Sequence, residues 1–463
     1  MEQLISRDST QGRWVLAAAV LGSGMALLDG TVVNIALRSI GESLGASVSQ
    51  LQWVVNAYLL SLASLILVGG SLGDRFGRRR VFVVGVVWFA AASAMCALAQ
   101  NPTQLILARL VQGIGAALLT PGSLAMIQGS FRTVDRPSVI GRWAGLGGIA
   151  AAVGPLLGGW IIDIASWRWI FWINLPVAVA VVLISVRHVP ETRDDDAGGR
   201  FDLAGSATGV LGLGGLTYAM IEAGVVRTPY VVLSAAVGIA ALVGFVALER
   251  RPVNALVPPH LFGSREFSVA NVMTFLVYGA LGAVMFFLVL QLQVTTGFSP
   301  LQAGLSTFPV TLFLLVLSAR SASLAARIGP RIQMSAGPLL CGLGVLLLRG
   351  VDGSSTFVTG VLPGITVFAL GLTALVAPLT TTVLAAAPDR LAGTASGINN
   401  AVARTGSLLA VAALPAAVGI AGDDYQNPAA FTSGYQAALA ICCVALVVGG
   451  VVSAVGLRRG ASA

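Results

Sequence analysis

Two residues stand where ionisable groups are least at home. Asp29 interrupts MALLDGTVVNIAL and Arg109 interrupts LILARLVQGIGAALL, both long apolar stretches. A charge at the centre of a bilayer-spanning helix costs about 2.5–3.5 kcal/mol on insertion scales, so it needs a job or a partner. A carboxyl in such a place offers reversible protonation; the plainer use is packing or capping near a membrane end. Arg109 is followed by Gln112, Gly113 and Ala116, a small polar face suited to a bundle interior, whereas an arginine anchor would snorkel to the interface. The third chemical stretch is GGSLGDRFGRRRV, residues 69–81, in which Asp74 lies among Arg75, Arg78, Arg79 and Arg80. Gly73 and Gly77 let that stretch turn tightly, and an acid between arginines makes charge-assisted bonds to them. Glu222, at the outer end of a later apolar run, is the remaining carboxylate candidate.

The elements that must position these residues follow from composition. Of 463 residues, 56% are hydrophobic and 10% charged, with a mean hydropathy of +0.88; soluble domains carry about 25% charged residues. A spanning helix needs about 20 apolar residues, and backbone exposed to lipid cannot be left unpaired. The chain therefore reads as an all-α integral membrane protein. Fourteen apolar runs are expected to span, from one centred near residue 25 to one near residue 445. The first starts after Trp14, has no small-residue cleavage site behind it, and is expected to be a retained helix. Every one of the 27 basic residues is arginine. With the N-terminus inside, only Arg38, Arg168, Arg227 and Arg349 fall in outer loops and Arg109 and Arg404 within spans, so both ends are expected in the cytoplasm. Topology thus accounts for the net charge of +8 without a nucleic-acid partner.

Several function classes are excluded on the same residues. Cys96, Cys341, Cys442 and Cys443 have no metal-site or disulfide spacing, and His188 and His260 have no ligand neighbours. The Gly-rich runs GLGGIAAAVG and GLGGL lack the lysine of a phosphate loop. No nucleophile–base pair emerges either, so neither an enzyme nor a cofactor or metal site is expected.

Internal repetition sets the domain organisation. GDRFGRRR (73–80) is echoed by AARIGPR (325–331), and VDRPSVIGRWAG (134–145) by PDRLAGTASGIN (388–399). Two six-helix bundles, 1–186 and 267–463, are expected, with 187–266 holding a solvated linker (187–202) and two inserted helices.

With these stretches in hand, the chain resembles the major facilitator superfamily, specifically its fourteen-helix drug:proton antiporter family. Residues 69–81 are similar to the superfamily signature between helices 2 and 3. LARLVQGIGAALLTPGSLA (107–125) resembles the helix-4 motif, GLGGIAAAVGPLLGGW (145–160) the helix-5 antiporter motif, and LLDGTVVNIAL (27–37) the helix-1 motif. With WRWIFWINLP (167–176), the match covers the first half and extends more weakly through the second.

The resemblance implies a proton-coupled multidrug or antibiotic exporter of the cytoplasmic membrane, working by alternating access. A facilitator, or a transporter of lipids or hydrophobic metabolites without obligatory antiport, is the alternative on the same fold. Its expected partners are a hydrophobic or amphipathic small molecule, protons and the lipid bilayer, and a monomer suffices. The family's roles carry over as proton coupling by Asp29 and Arg109, with Glu222 in reserve, and a cytoplasmic latch of Gly73, Asp74, Arg75, Gly77 and Arg78. Gly154, Pro155, Gly158 and Gly159 form the antiporter motif, which in the family limits leakage. On physical grounds, Ala150, Gly154 and Gly158 admit a close backbone and Pro155 bends the helix, giving a tight contact between the halves; ordinary helix packing explains them equally well. Asn34, Trp53, Asn56, Tyr58, Gln112, Tyr278, Phe286 and Gln291 are the expected substrate-cavity residues, offering apolar surface with a few polar groups. Trp160, Trp167, Trp169 and Trp172 read as an interfacial belt. Two departures from the family stand out. Arg38 replaces a proline at the end of helix 1, and no carboxylate lies in a span between about residues 267 and 420, which favours neutral or singly charged compounds over dications.

Overall fold

A computed structural model describes residues 4–193, 202–223, 225–250, 256–388 and 391–457. Fourteen long helices follow in chain order: α1 (Thr10–Leu44), α2 (Val48–Phe76), α3 (Arg78–Leu98), α4 (Pro102–Ser130), α5 (Arg136–Ile164), α6 (Trp169–His188), α7 (Leu203–Ile221), α8 (Thr228–Glu249), α9 (Arg265–Val294), α10 (Pro300–Ile328), α11 (Pro330–Leu348), α12 (Phe357–Ala385), α13 (Ala392–Ala417) and α14 (Pro428–Gly456). Among the described residues there is no strand, only an isolated bridge between Ile5 and Phe131. Among the described residues, thirteen helices are long and apolar enough to cross a membrane. The fourteenth, α13, has the length, but Asn399, Asn400 and Arg404 lower its hydropathy because they face a cavity rather than lipid.

The helices start and stop where the sequence supplies caps. Ser47 and Gln50 form a reciprocal capping box at the start of α2, and Ser299 and Gln302 form another at the start of α10. Each box satisfies amide groups that would otherwise be orphaned near the membrane boundary. Gly77 (φ 108°) and Gly329 (φ 82°) make the sharp turns into α3 and α11, in a region where only glycine is unstrained. The echo between residues 73–80 and 325–331 is therefore also a conformational one.

Helix pairing repeats with an offset of eight helices. In the first bundle α1 packs on α4, α5 and α6, α2 on α4, and α3 on α4 and α6. In the second, α9 packs on α12, α13 and α14, α10 on α12, and α11 on α12 and α14. The bundles meet through α2 against α13 and α5 against α10, the same pair of positions exchanged. This is the architecture of two six-helix bundles with α7 and α8 inserted. The inserted pair packs on itself through Gly212, Gly215 and Gly238, where an added β-carbon at Gly215 would lie 2.8 Å from the Ser234 carbonyl oxygen. α7 rests on α2 and α13, while α8 is exposed along most of its length.

Two local expectations need correction. Residues 189–193 are not a free solvated linker: they dock on the 73–80 hairpin, and the Arg78 amide donates to the Thr192 carbonyl at 2.8 Å. The acidic run Asp194–Asp196 lies outside the described residues. Trp160 and Trp169 are exposed as a belt requires, but Trp167 is buried, edge-on to Phe171 with the Arg168 guanidinium 4.3 Å above its ring.

Candidate functional site

Between the bundles lies a cavity of about 580 Å3. Its wall is built by α1, α2, α4 and α5 on one side and α9, α10, α12 and α13 on the other. Asn34, Tyr58, Arg109 and Pro155 face Tyr278 and Arg404 across a largely aliphatic lining.

Behind this wall, Asp29 and Arg109 meet. Arg109 Nη1 donates to Asp29 Oδ2, and both side chains are about 1% exposed. Arg109 Nε donates to the Val54 carbonyl at 3.1 Å, and its guanidinium stacks 4.3 Å over the Tyr58 ring. Gln112 binds both members, accepting from Arg109 at 2.6 Å and donating to Asp29 Oδ1 at 2.9 Å. Its amide also reaches Ser93 Oγ at 3.0 Å, which accepts from Asn174 Nδ2 at 2.8 Å. One buried network thus ties α1, α2, α3, α4 and α6 together. Arg109 and Tyr58 carry it to the cavity surface, whereas Asp29 sits one layer deeper than the cavity wall. A charge pair this buried holds only because its remaining lone pairs and protons are satisfied. Ser93 and Asn174 escaped sequence reasoning, since a serine or asparagine in a span is unremarkable until its partners are known.

The other expected cavity residues divide. Asn34, Tyr58 and Tyr278 line it; Trp53, Asn56, Gln112, Phe286 and Gln291 do not. Trp53 turns outward to α7, where Nε1 donates to Glu222 Oε1 at 2.8 Å and the ring packs against Tyr218. Glu222 is thereby engaged at the end of α7, apart from the Asp29 network. Asn56 is fully buried within the protein. Phe286 is core, edge-on to Phe287, and Gln291 donates to the Val351 carbonyl and Thr432 Oγ1, both at 3.0 Å. Helix phase explains the miss: polarity and aromaticity locate a helix depth but not which face meets the cavity.

At the arginine-rich end, Asp74 is bound by Arg78, four residues along, at 2.8 Å. Arg75 lies over the Phe76 ring. Glu191, an acid that sequence reasoning left in the linker, accepts from the Arg79 amide at 3.0 Å and lies 3.6 Å from the guanidinium groups of Arg79 and Arg80. It packs so closely that a β-carbon on Gly77 would lie 2.6 Å from its carboxylate. At this end of α5, β-carbons on Gly141, Gly145 and Gly148 would meet nothing within 4 Å.

The bundles are joined at the opposite end. Arg38 donates to the Gln293 carbonyl, Gln293 Nε2 to the Ile35 carbonyl at 2.9 Å, and the Val48 amide to the Gly422 carbonyl at 2.8 Å. Gln52 Nε2 bridges to the Val411 and Ala412 carbonyls at 2.8 and 3.0 Å, and Asp163 accepts from Ser299 Oγ at 2.8 Å. The small-residue motif on α5 serves two contacts rather than one. Gly154 and Gly158 face Thr31 and Val32 of α1 in the same bundle, with Ala150 beside Gly24. Gly159 and Pro155 make the approach across the bundles: a β-carbon on Gly159 would lie 2.6 Å from the Pro300 carbonyl oxygen, and one on Gly304 would strike the Pro155 carbonyl.

A two-bundle helical protein with a central cavity and a charge pair at its wall belongs to the class of polytopic membrane transporters. The chain belongs to the Major Facilitator Superfamily, whose sequence profile matches residues 19–411. It is 34% identical to the probable actinorhodin transporter of Streptomyces coelicolor, covering 87% of this chain and 72% of that protein. It is also 34% identical to the puromycin resistance protein pur8 of Streptomyces alboniger, covering 87% and 80%, and to the multidrug resistance protein Stp of Mycobacterium tuberculosis, covering 86% and 74%. Among solved structures, a bacterial homologue of the human lysosomal transporter Spinster, inward-facing and unoccupied, matches with a TM-score of 0.69 at 15% identity, covering 97% of each chain. Tetrameric PepTSo2 matches at 0.68 and 15%, covering 96% and 98%. At that identity the likeness concerns the fold alone.

Proposed function

We propose that this chain is a proton-coupled exporter of hydrophobic or amphipathic small molecules in the cytoplasmic membrane, acting as a monomer. The observation that carries this reading is the buried Asp29–Arg109 pair with Arg109 at the cavity wall. Protonating Asp29 frees Arg109 and with it the wall of the cavity, so proton and substrate occupancy are linked through one side chain. The antibiotic and multidrug resistance relatives support export as the direction. In this reading the bundles are 1–186 and 267–463, with 187–266 as the insert, and both termini are cytoplasmic. The end clasped by Arg38, Gln52 and Asp163 is the outer one, and the hairpin of Gly73–Arg78 closes the inner end in the other half of the cycle. Acid-loaded vesicles containing the purified protein test it: candidate compounds should release protons, read by a pH-sensitive acridine dye. Compound flux that is equal with and without an uncoupler would replace this reading with a facilitator.

A further inference from the structure

The cavity wall holds two charged residues, Arg109 and Arg404, and among the described residues no acid. The two arginines are not equivalent. Arg109 is matched by Asp29. Arg404, in the middle of α13, has no ion pair among the described residues. The cavity-lining residues on its own helix and on two of the helices packed against α13 offer it no acid: Asn400 and Ser407 on α13, Tyr278 on α9 and Tyr58 on α2. Much of the rest of the lining is aliphatic, including Leu281 and Val310, with neutral polar side chains such as Asn34 and Thr311 among it. Arg404 is half-buried, so its guanidinium is available to an entering anion, and its planar fork matches a carboxylate. A cation would meet the same charge with no acid to offset it.

We propose that the cavity selects singly charged organic anions with an apolar, aromatic body, and that Arg404 is their counter-ion. The volume suits one drug-sized molecule. The inference rests on the reading of this cavity as the substrate site, and it adds the sign of the substrate's charge.

The test compares anthracene-2-carboxylate with its near-isosteric neutral carboxamide and with 2-(aminomethyl)anthracene, a cation. Each is titrated by fluorescence into the purified full chain in lipid nanodiscs, without any gradient. The wild type should bind the carboxylate at least about tenfold more tightly than the carboxamide, as a charge-assisted pair requires. Arg404→Gln should bring that ratio close to one, and Arg404→Lys should retain a preference for the acid. Saturable carboxamide binding with no preference for the acid, a preference for the amine, or an unchanged ratio in Arg404→Gln would overturn the anion assignment alone. Saturable binding of none of the three would overturn the substrate-site reading itself, and the inference with it. Loss of proton coupling would leave all these ratios in place, because binding is measured at equilibrium.

Discussion

Arg109 donates to Asp29 where both side chains are about 1% exposed, and Gln112 holds both. This relationship changes what a substitution can tell. Replacing Asp29 alone leaves a buried cation without its partner, and breaking one side of such a pair costs about 3–5 kcal/mol. Asp29→Asn should therefore lose gradient-driven transport and also melt at a lower temperature. The double variant Asp29→Asn with Arg109→Gln removes both charges and should recover most of the thermal stability without recovering pH-driven uptake into inverted vesicles. Gradient-dependent uptake by the double variant would show that the pair is only packing.

The hairpin gives a different kind of prediction. Asp74 is bound within its own hairpin at the end away from the clasp, and the cavity lies elsewhere. Asp74→Asn should reduce turnover about tenfold, the effect of roughly 1.4 kcal/mol on a conformational equilibrium. Equilibrium binding of a cavity ligand should change less than twofold. A variant that loses affinity while cycling normally would count against a role in gating.

Much of this was legible in the sequence. Fourteen apolar runs gave fourteen helices, and the two intramembrane charges of the first bundle, Asp29 and Arg109, do meet. That worked because membrane burial makes a charge conspicuous, and two isolated opposite charges in one bundle have few other partners. The cavity wall was less legible. Trp53, Phe286 and Gln291 have the right chemistry at the wrong helical phase, and phase depends on which neighbour each helix packs against. Arg404 was visible as the second intramembrane arginine, but its meaning depends on the lack of a described acid opposite it. The clasp was hidden for another reason: Gln52 and Arg38 bond to backbone carbonyls of distant helices, which no side-chain pattern announces.

The proposed sidedness rests on the arginine distribution and is directly testable. Arg80 is exposed in the first turn of α3, and Asp352 is exposed in the turn between α11 and α12. Odd helices all run in one direction in an alternating topology, so these positions lie on opposite faces. In intact cells, a cysteine at position 352 should react with an impermeant maleimide, and one at position 80 should react only after permeabilisation. Equal labelling of both in intact cells would break the assigned topology.

The strongest mechanical prediction concerns Gly304. Its α-carbon is pressed against the Pro155 carbonyl of α5, so a β-carbon there has no room while the bundles are closed at this end. Overpacking a well-packed contact costs about 1–3 kcal/mol, and here that cost falls only on the conformation in which α5 and α10 touch. Gly304→Val should therefore shift the population by about tenfold or more toward the conformation parted at this end, since 1.4 kcal/mol is a factor of ten. Spin labels at positions 42, near the end of α1, and 423, within the α13–α14 connection, report that separation without touching the contact. Their distance distribution should move to longer values in Gly304→Val and stay as in wild type for Gly393→Val, where an added β-carbon meets nothing within 4 Å. An unshifted distribution in Gly304→Val, with the protein folded and binding ligand normally, would mean that this end does not open, and alternating access through the α5–α10 contact would have to be abandoned.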